Sequence, residues 1–136
     1  MIYRILIFLF CFSVYSKPIS ITNKRDLDFG TLVQGDPKKV ISPKGSEPNN
    51  ARFLVKGDKN TSYTILLPTE AYIYLGGNGS QKIKVRNFKS RPAAGANGLL
   101  NSKGKQTVKV GATLNAIGVN KAPGAYSGSF TIDVIY

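Results

Sequence analysis

The chain has 136 residues and carries 19 Lys and Arg against 7 Asp and Glu, a net charge of +12 at pH 7, with no histidine and one cysteine. Without histidine, and with that cysteine at position 11, no Ser–His–Asp or Cys–His catalytic set and no common zinc site can be assembled. An enzyme, a cofactor and a metal site are therefore not expected.

Met1-Ile2-Tyr3-Arg4 is a short n-region with one positive charge. Residues 5–14 are an apolar run broken only by Ser13, and Val14-Tyr15-Ser16 then sets a small residue before Lys17. The pattern reads as a secretory signal peptide over residues 1–16, too short to span a bilayer. Cys11 lies inside the apolar run without the small neighbours of a lipoprotein box. Removing the leader leaves residues 17–136 as one domain, with 18 Lys and Arg against 7 acids and a net charge of +11. That length suffices for one core. It holds no cysteine, so stability must rest on an apolar core and sheet hydrogen bonds. The expected destination is the periplasm, the outer surface or the extracellular space.

From residue 17 onward, strand-like alternation between turn signals predicts an all-β chain. Ile19 and Ile21 alternate with Ser20 and Thr22. Asn23-Lys24-Arg25-Asp26 interrupts them, Leu27 and Phe29 resume the parity, and Gly30 offers a bulge or kink. Ala51, Phe53 and Val55 alternate with Arg52, Leu54 and Lys56; Tyr63, Ile65 and Leu67 follow the same rule. Ile83 and Val85 alternate with Lys82, Lys84 and Arg86. Val108, Val110, Ala112 and Leu114 alternate with Thr107, Lys109, Gly111 and Thr113. The turns are Gly35-Asp36-Pro37, Ser42-Pro43-Lys44-Gly45, Gly57-Asp58-Lys59-Asn60, Gly76-Gly77-Asn78-Gly79, Ser102-Lys103-Gly104 and Pro123-Gly124. Residues 45–50 and 91–98 read as surface loops. The longest alternation closes the chain, with Tyr126, Gly128, Phe130, Ile132, Val134 and Tyr136 on one face of a single strand. These elements predict an antiparallel β-sandwich of seven to nine strands. Its core should gather Phe29, Phe53, Tyr63, Ile65, Val108, Val110, Phe130, Ile132 and Val134.

Ser102-Lys103-Gly104-Lys105 matches S-x-x-K in letters only, because that chemistry needs a helical turn and a glycine hairpin is expected here. Gly76-Gly77-Asn78-Gly79-Ser80 lacks the Lys-Ser/Thr pair of a phosphate loop. Neither the Asp26 and Asp28 pair nor Asp58 with Asn60 approaches the oxygens a calcium ion needs. The basic residues are the remaining lead. Lys82, Lys84 and Arg86 share one strand face, and Lys105 and Lys109 another. In one sheet they would form a stripe able to hold an anionic surface polymer. The plainer reading is a wet sheet face, favoured because no exposed aromatics interleave with the charges. Nothing points to specific nucleic-acid binding.

Four landmarks follow in order: Leu27-Asp28-Phe29-Gly30-Thr31-Leu32-Val33, Tyr63-Thr64-Ile65-Leu66-Leu67-Pro68, Val108-Lys109-Val110-Gly111-Ala112-Thr113-Leu114, and the stretch from Gly124 to Tyr136. Together they resemble the bacterial domain-of-unknown-function family 4402, which looks like a relative of spore-coat-U-type and archaic chaperone–usher pilins. The resemblance implies an exported immunoglobulin-like sandwich, a pilin-like cell-surface subunit with structural or adhesive work. It also implies assembly by β-strand donation among identical or related subunits, with a periplasmic chaperone. Ile19, Ile21, Phe130, Ile132, Val134 and Tyr136 are the candidate assembly residues. The alternative is a monomeric binding module for anionic ligands such as lipopolysaccharide or acidic glycans, using Lys82, Lys84, Arg86, Lys105 and Lys109.

Overall fold

The computed structural model describes residues 17–76 and 78–136, so the signal-peptide reading of residues 1–16 and the Gly77 part of one turn lie outside the described residues. The strands are β1 (Ser20–Arg25), β2 (Lys39–Ile41), β3 (Ala51–Lys56), β4 (Ser62–Leu66), β5 (Glu70–Leu75), β6 (Asn78–Arg91), β7 (Gly95–Leu99), β8 (Lys105–Leu114), β9 (Tyr126–Ser127) and β10 (Asp133–Ile135). All pairings are antiparallel. The larger sheet runs β1-β3-β8-β6-β5-β9, with β2 also on β8, and the smaller runs β10-β4-β7. The expected all-β sandwich is present.

The period-two patterns decide which faces turn inward. Ala51, Phe53 and Val55 on β3, Tyr63 and Ile65 on β4, and Val108 and Val110 on β8 are buried in one cluster with Leu100 and Ile132. A second cluster holds Ile83, Val85, Ala112, Leu114 and Ile117. The core therefore has two lobes, and Phe29 packs on the second, away from the other expected members. Leu27 and Phe88 touch both lobes. Phe130 is half-buried; its ring meets Phe53 edge-on at 6.1 Å and Phe88 at 5.0 Å.

Among the described residues there are ten strands, against the expected seven to nine. β2 and β3 lie end to end along one edge of β8, opposite residues 112–114 and 105–110. Residues 42–50 leave the sheet between them. Gly111 sits at the handover, where a Cβ would lie 2.0 Å from the Ile41 carbonyl. The closing run is not one strand either. β9 joins the larger sheet and β10 the smaller, while residues 128–132 belong to no ladder. The side-chain alternation survives this change of sheet, with Ile132 buried and Ser129, Thr131 and Asp133 exposed.

Residues 91–98 are not one loop. β6 continues through Arg91 and β7 starts at Gly95. The small residues there serve packing: a Cβ on Gly98 would meet the Tyr63 ring at 2.4 Å, so glycine seats that ring. Nor do the strands flanking Ser102–Gly104 form a hairpin ladder. Gly104, at φ +71°, closes a turn by donating to Asn101, but β7 and β8 enter different sheets.

Two expected outcomes follow. Gly98→Ala should destabilise the fold by about 1–3 kcal/mol through overpacking, read as a lower urea midpoint at unchanged slope. Tyr63 donates to Gln106 Oε1 at 2.5 Å, and burial pushes its hydroxyl from the usual 10.0 up to about 12. Folding therefore favours the neutral phenol. That stabilisation is complete below pH 10.0 and is lost as pH rises through about 12. Urea midpoints should fall across this window, and more shallowly in Tyr63→Phe.

Candidate functional site

The smaller sheet has three strands and covers one lobe of the core. Over the other lobe, the inward side chains Ile73, Ile83, Val85 and Leu114 face two segments, residues 27–34 and 121–130, that are irregular apart from the two residues of β9. Between them lies an open groove of about 970 Å³. The alternation of Leu27 and Phe29 turns both inward without a ladder, the partial outcome of a strand pattern with no neighbour to pair with. The segments are held at a few points. Gly35 donates to the Ile117 carbonyl and Ile117 to that of Asp36, each at 2.9 Å. The Tyr126 hydroxyl donates to the Ala122 carbonyl at 2.7 Å.

The two chain segments expected to cooperate in assembly do meet. Ile19 and Ile21 pack against the cluster that contains Ile132, as do Phe130 and Val134. β1 and β10 are edge strands of different sheets, and Tyr136 ties them at one end. Its hydroxyl donates to the Lys17 carbonyl at 2.6 Å and accepts from the Asp58 amide at 2.8 Å. The Lys17 amide closes the circuit on Asp58 Oδ1 at 2.8 Å. Gly57 makes room for the tyrosine, since a Cβ there would lie 2.4 Å from the hydroxyl.

The model of the domain of unknown function DUF4402 matches residues 19–136. The chain belongs to that family. No curated protein and no solved structure matches it.

The basic residues of this DUF4402 domain fall on the outer face of the larger sheet, but not as one uniform stripe. β6 and β8 are neighbours, so Lys82, Lys84, Arg86, Lys105 and Lys109 do share a sheet. Three of them have local partners. Lys84 pairs with Glu70 at 2.8 Å, and that hydrogen bond and charge raise its pKa. Lys82 lies 4.7 Å above the Tyr72 ring, and Arg86 Nε donates to Asn115 Oδ1 at 2.5 Å. The expected lack of interleaved aromatics is overturned here, because Tyr72 and Tyr74 stand opposite Lys84 and Lys82. Their place on β5 was hidden until the register was known.

Register also adds cations that the sequence reading missed. Arg52 and Lys56 of β3, Arg25 of β1, and Lys89 and Arg91 of β6 share the outer face with the five already named. Glu70 is the one acid among the strand residues on that face. Among the described residues no group of three or more His, Cys, Asp or Glu is placed to hold a metal ion. Tyr136→Phe should cost about 0.5–1.5 kcal/mol and speed amide exchange at Asp58, measured by hydrogen–deuterium exchange.

Proposed function

We propose that the protein is an exported, non-enzymatic, pilin-like subunit of a cell-surface assembly, which takes a β-strand from a neighbouring subunit into its groove. One observation carries the reading: the smaller sheet stops after three strands and leaves Ile73, Ile83, Val85 and Leu114 under irregular chain. An incoming strand supplies main-chain bonds to such a groove and sets alternate side chains in its pockets. The donor is residues 17–22 of the next copy, with Ile19 and Ile21 as the inserted side chains. A periplasmic chaperone would keep the groove covered until assembly.

Deleting residues 17–22 tests this. Circular dichroism should report a folded subunit, while size-exclusion chromatography and electron microscopy of the exported protein should show that assembly is lost. An unfolded deletion variant means that β1 is an ordinary strand of its own sheet. Unchanged assembly with an intact fold overturns strand donation altogether.

A second reading is favoured by a separate observation. β1 is paired with β3, and β10 with β4, within one chain. A subunit closed in this way is a monomeric exported module, and its basic sheet face then suits an anionic ligand such as an acidic glycan or lipopolysaccharide.

A further inference from the structure

Across three neighbouring strands the larger sheet sets cations directly opposite one another. Arg52 on β3 faces Lys109 on β8, and Lys109 faces Arg91 on β6. Opposed residues share a face with Cβ atoms about 5 Å apart, and like charges in that position repel. Arg25 continues the row on β1, but its guanidinium is taken up by Asn50 and the Glu47 carbonyl. The side chains of Arg52, Lys109 and Arg91 have no acid or hydrogen-bond partner among the described residues. Arg52 Nε is moreover buried without one. Three adjacent like charges weaken a fold, and an anion bound on the outer face relieves their repulsion.

The surroundings are built rather than loose. Asn50 is fully buried and fixes the 42–50 loop, donating to the carbonyls of Ser42 and Lys44 while accepting from Arg25. That loop reaches the row, since a Cβ on Gly45 would lie 3.2 Å from Lys109 Nζ. Two residues along β8 stands exposed Thr107, and beyond it Lys105 opposes Lys56. Hydroxyl and ammonium donors thus flank the guanidiniums.

We infer that this row binds a linear acidic polysaccharide with one carboxylate per sugar ring, a polyuronate, lying across the strands. The inference rests on the anionic-ligand reading and gives it a site and a ligand class. Arg52 and Arg91 are two strand spacings apart, about 10 Å, which is close to one disaccharide repeat of such a chain. Each guanidinium offers a fork that matches a carboxylate, and Lys109 between them serves hydroxyls or the intervening carboxylate. Nucleic acid fits less well. Single strands bind where aromatics stack their bases, and Tyr72, opposite Lys84, is about 20 Å along β6 from Arg91 at a strand's rise per residue.

Calorimetric titration of the purified protein with polygalacturonate tests the inference, with neutral dextran, polyphosphate and single-stranded DNA as comparison probes. Removing the row by Arg52→Gln, Lys109→Gln and Arg91→Gln together should weaken polygalacturonate binding about tenfold or more. Lys38→Gln, Lys59→Gln and Lys121→Gln remove the same charge from outside the strands and should change it by less than about twofold. Equal losses in the two triple variants, or DNA or polyphosphate binding as tightly as polygalacturonate, overturn the row while leaving the anionic-ligand reading standing. Absence of binding to every polyanion overturns both. Arg91→Gln alone, at an exposed position, keeps the test open if the triple variant misfolds. It should weaken binding about threefold, and unchanged affinity overturns the row.

Discussion

The structure depends on one strand being buried on its inner face while it is paired along both edges. β8 supplies Val108, Val110, Ala112 and Leu114 to the interior, all at most 2 % exposed, and it joins β3 and β2 on one side to β6 on the other. Val108 and Val110 belong to one lobe of the core, Ala112 and Leu114 to the other. A one-residue slip would turn this row toward water and bring Thr107 and Lys109 inside, so the hydrophobic pattern fixes the register of four strands at once. Gly111 is part of the same constraint, because only a residue without Cβ lets β2 hand over to the departing loop there.

From that strand outward, the two lobes differ in how they are covered. The lobe around Tyr63 and Ile65 lies under a ladder. The lobe around Ile83 and Leu114 lies under chain held by isolated hydrogen bonds. Coverings with few ladder bonds open at lower free energy than paired strands. The rings of Phe88 and Phe130 stand where the two regimes meet, so movement of the irregular cover is felt first at those aromatics. This difference in cover is what gives the strand-accepting reading its physical basis.

Much of the fold was legible because alternation is a local signal. The inward faces of β3, β4, β6 and β8 were each read correctly from their own residues, as was the burial of Ile132. What failed was the meaning of glycine and the partner of each strand. Gly98 looked like loop chemistry and serves instead as a seat for Tyr63, a contact made from 35 residues away in sequence. The closing run read as one strand because a change of sheet at residues 128–132 leaves the side-chain period intact. Sequence places Arg52 and Arg91 on faces but cannot say that both stand beside Lys109, since pairing is a property of the register. The inward packing of Ile19, Ile21, Phe130, Ile132 and Val134 was legible for the same reason; the basic row was not.

The uneven placing of charge has a mechanical consequence. A molecule with most of its excess cations on one sheet face is a one-sided body in an electric field. Beside a negative wall it feels a torque as well as a pull, once within the Debye length of about 8 Å at physiological ionic strength. It would settle with the larger sheet against the wall and the three-stranded sheet turned away. Orientation is then fixed before any specific contact forms, and every molecule on such a surface presents the same side to whatever approaches next.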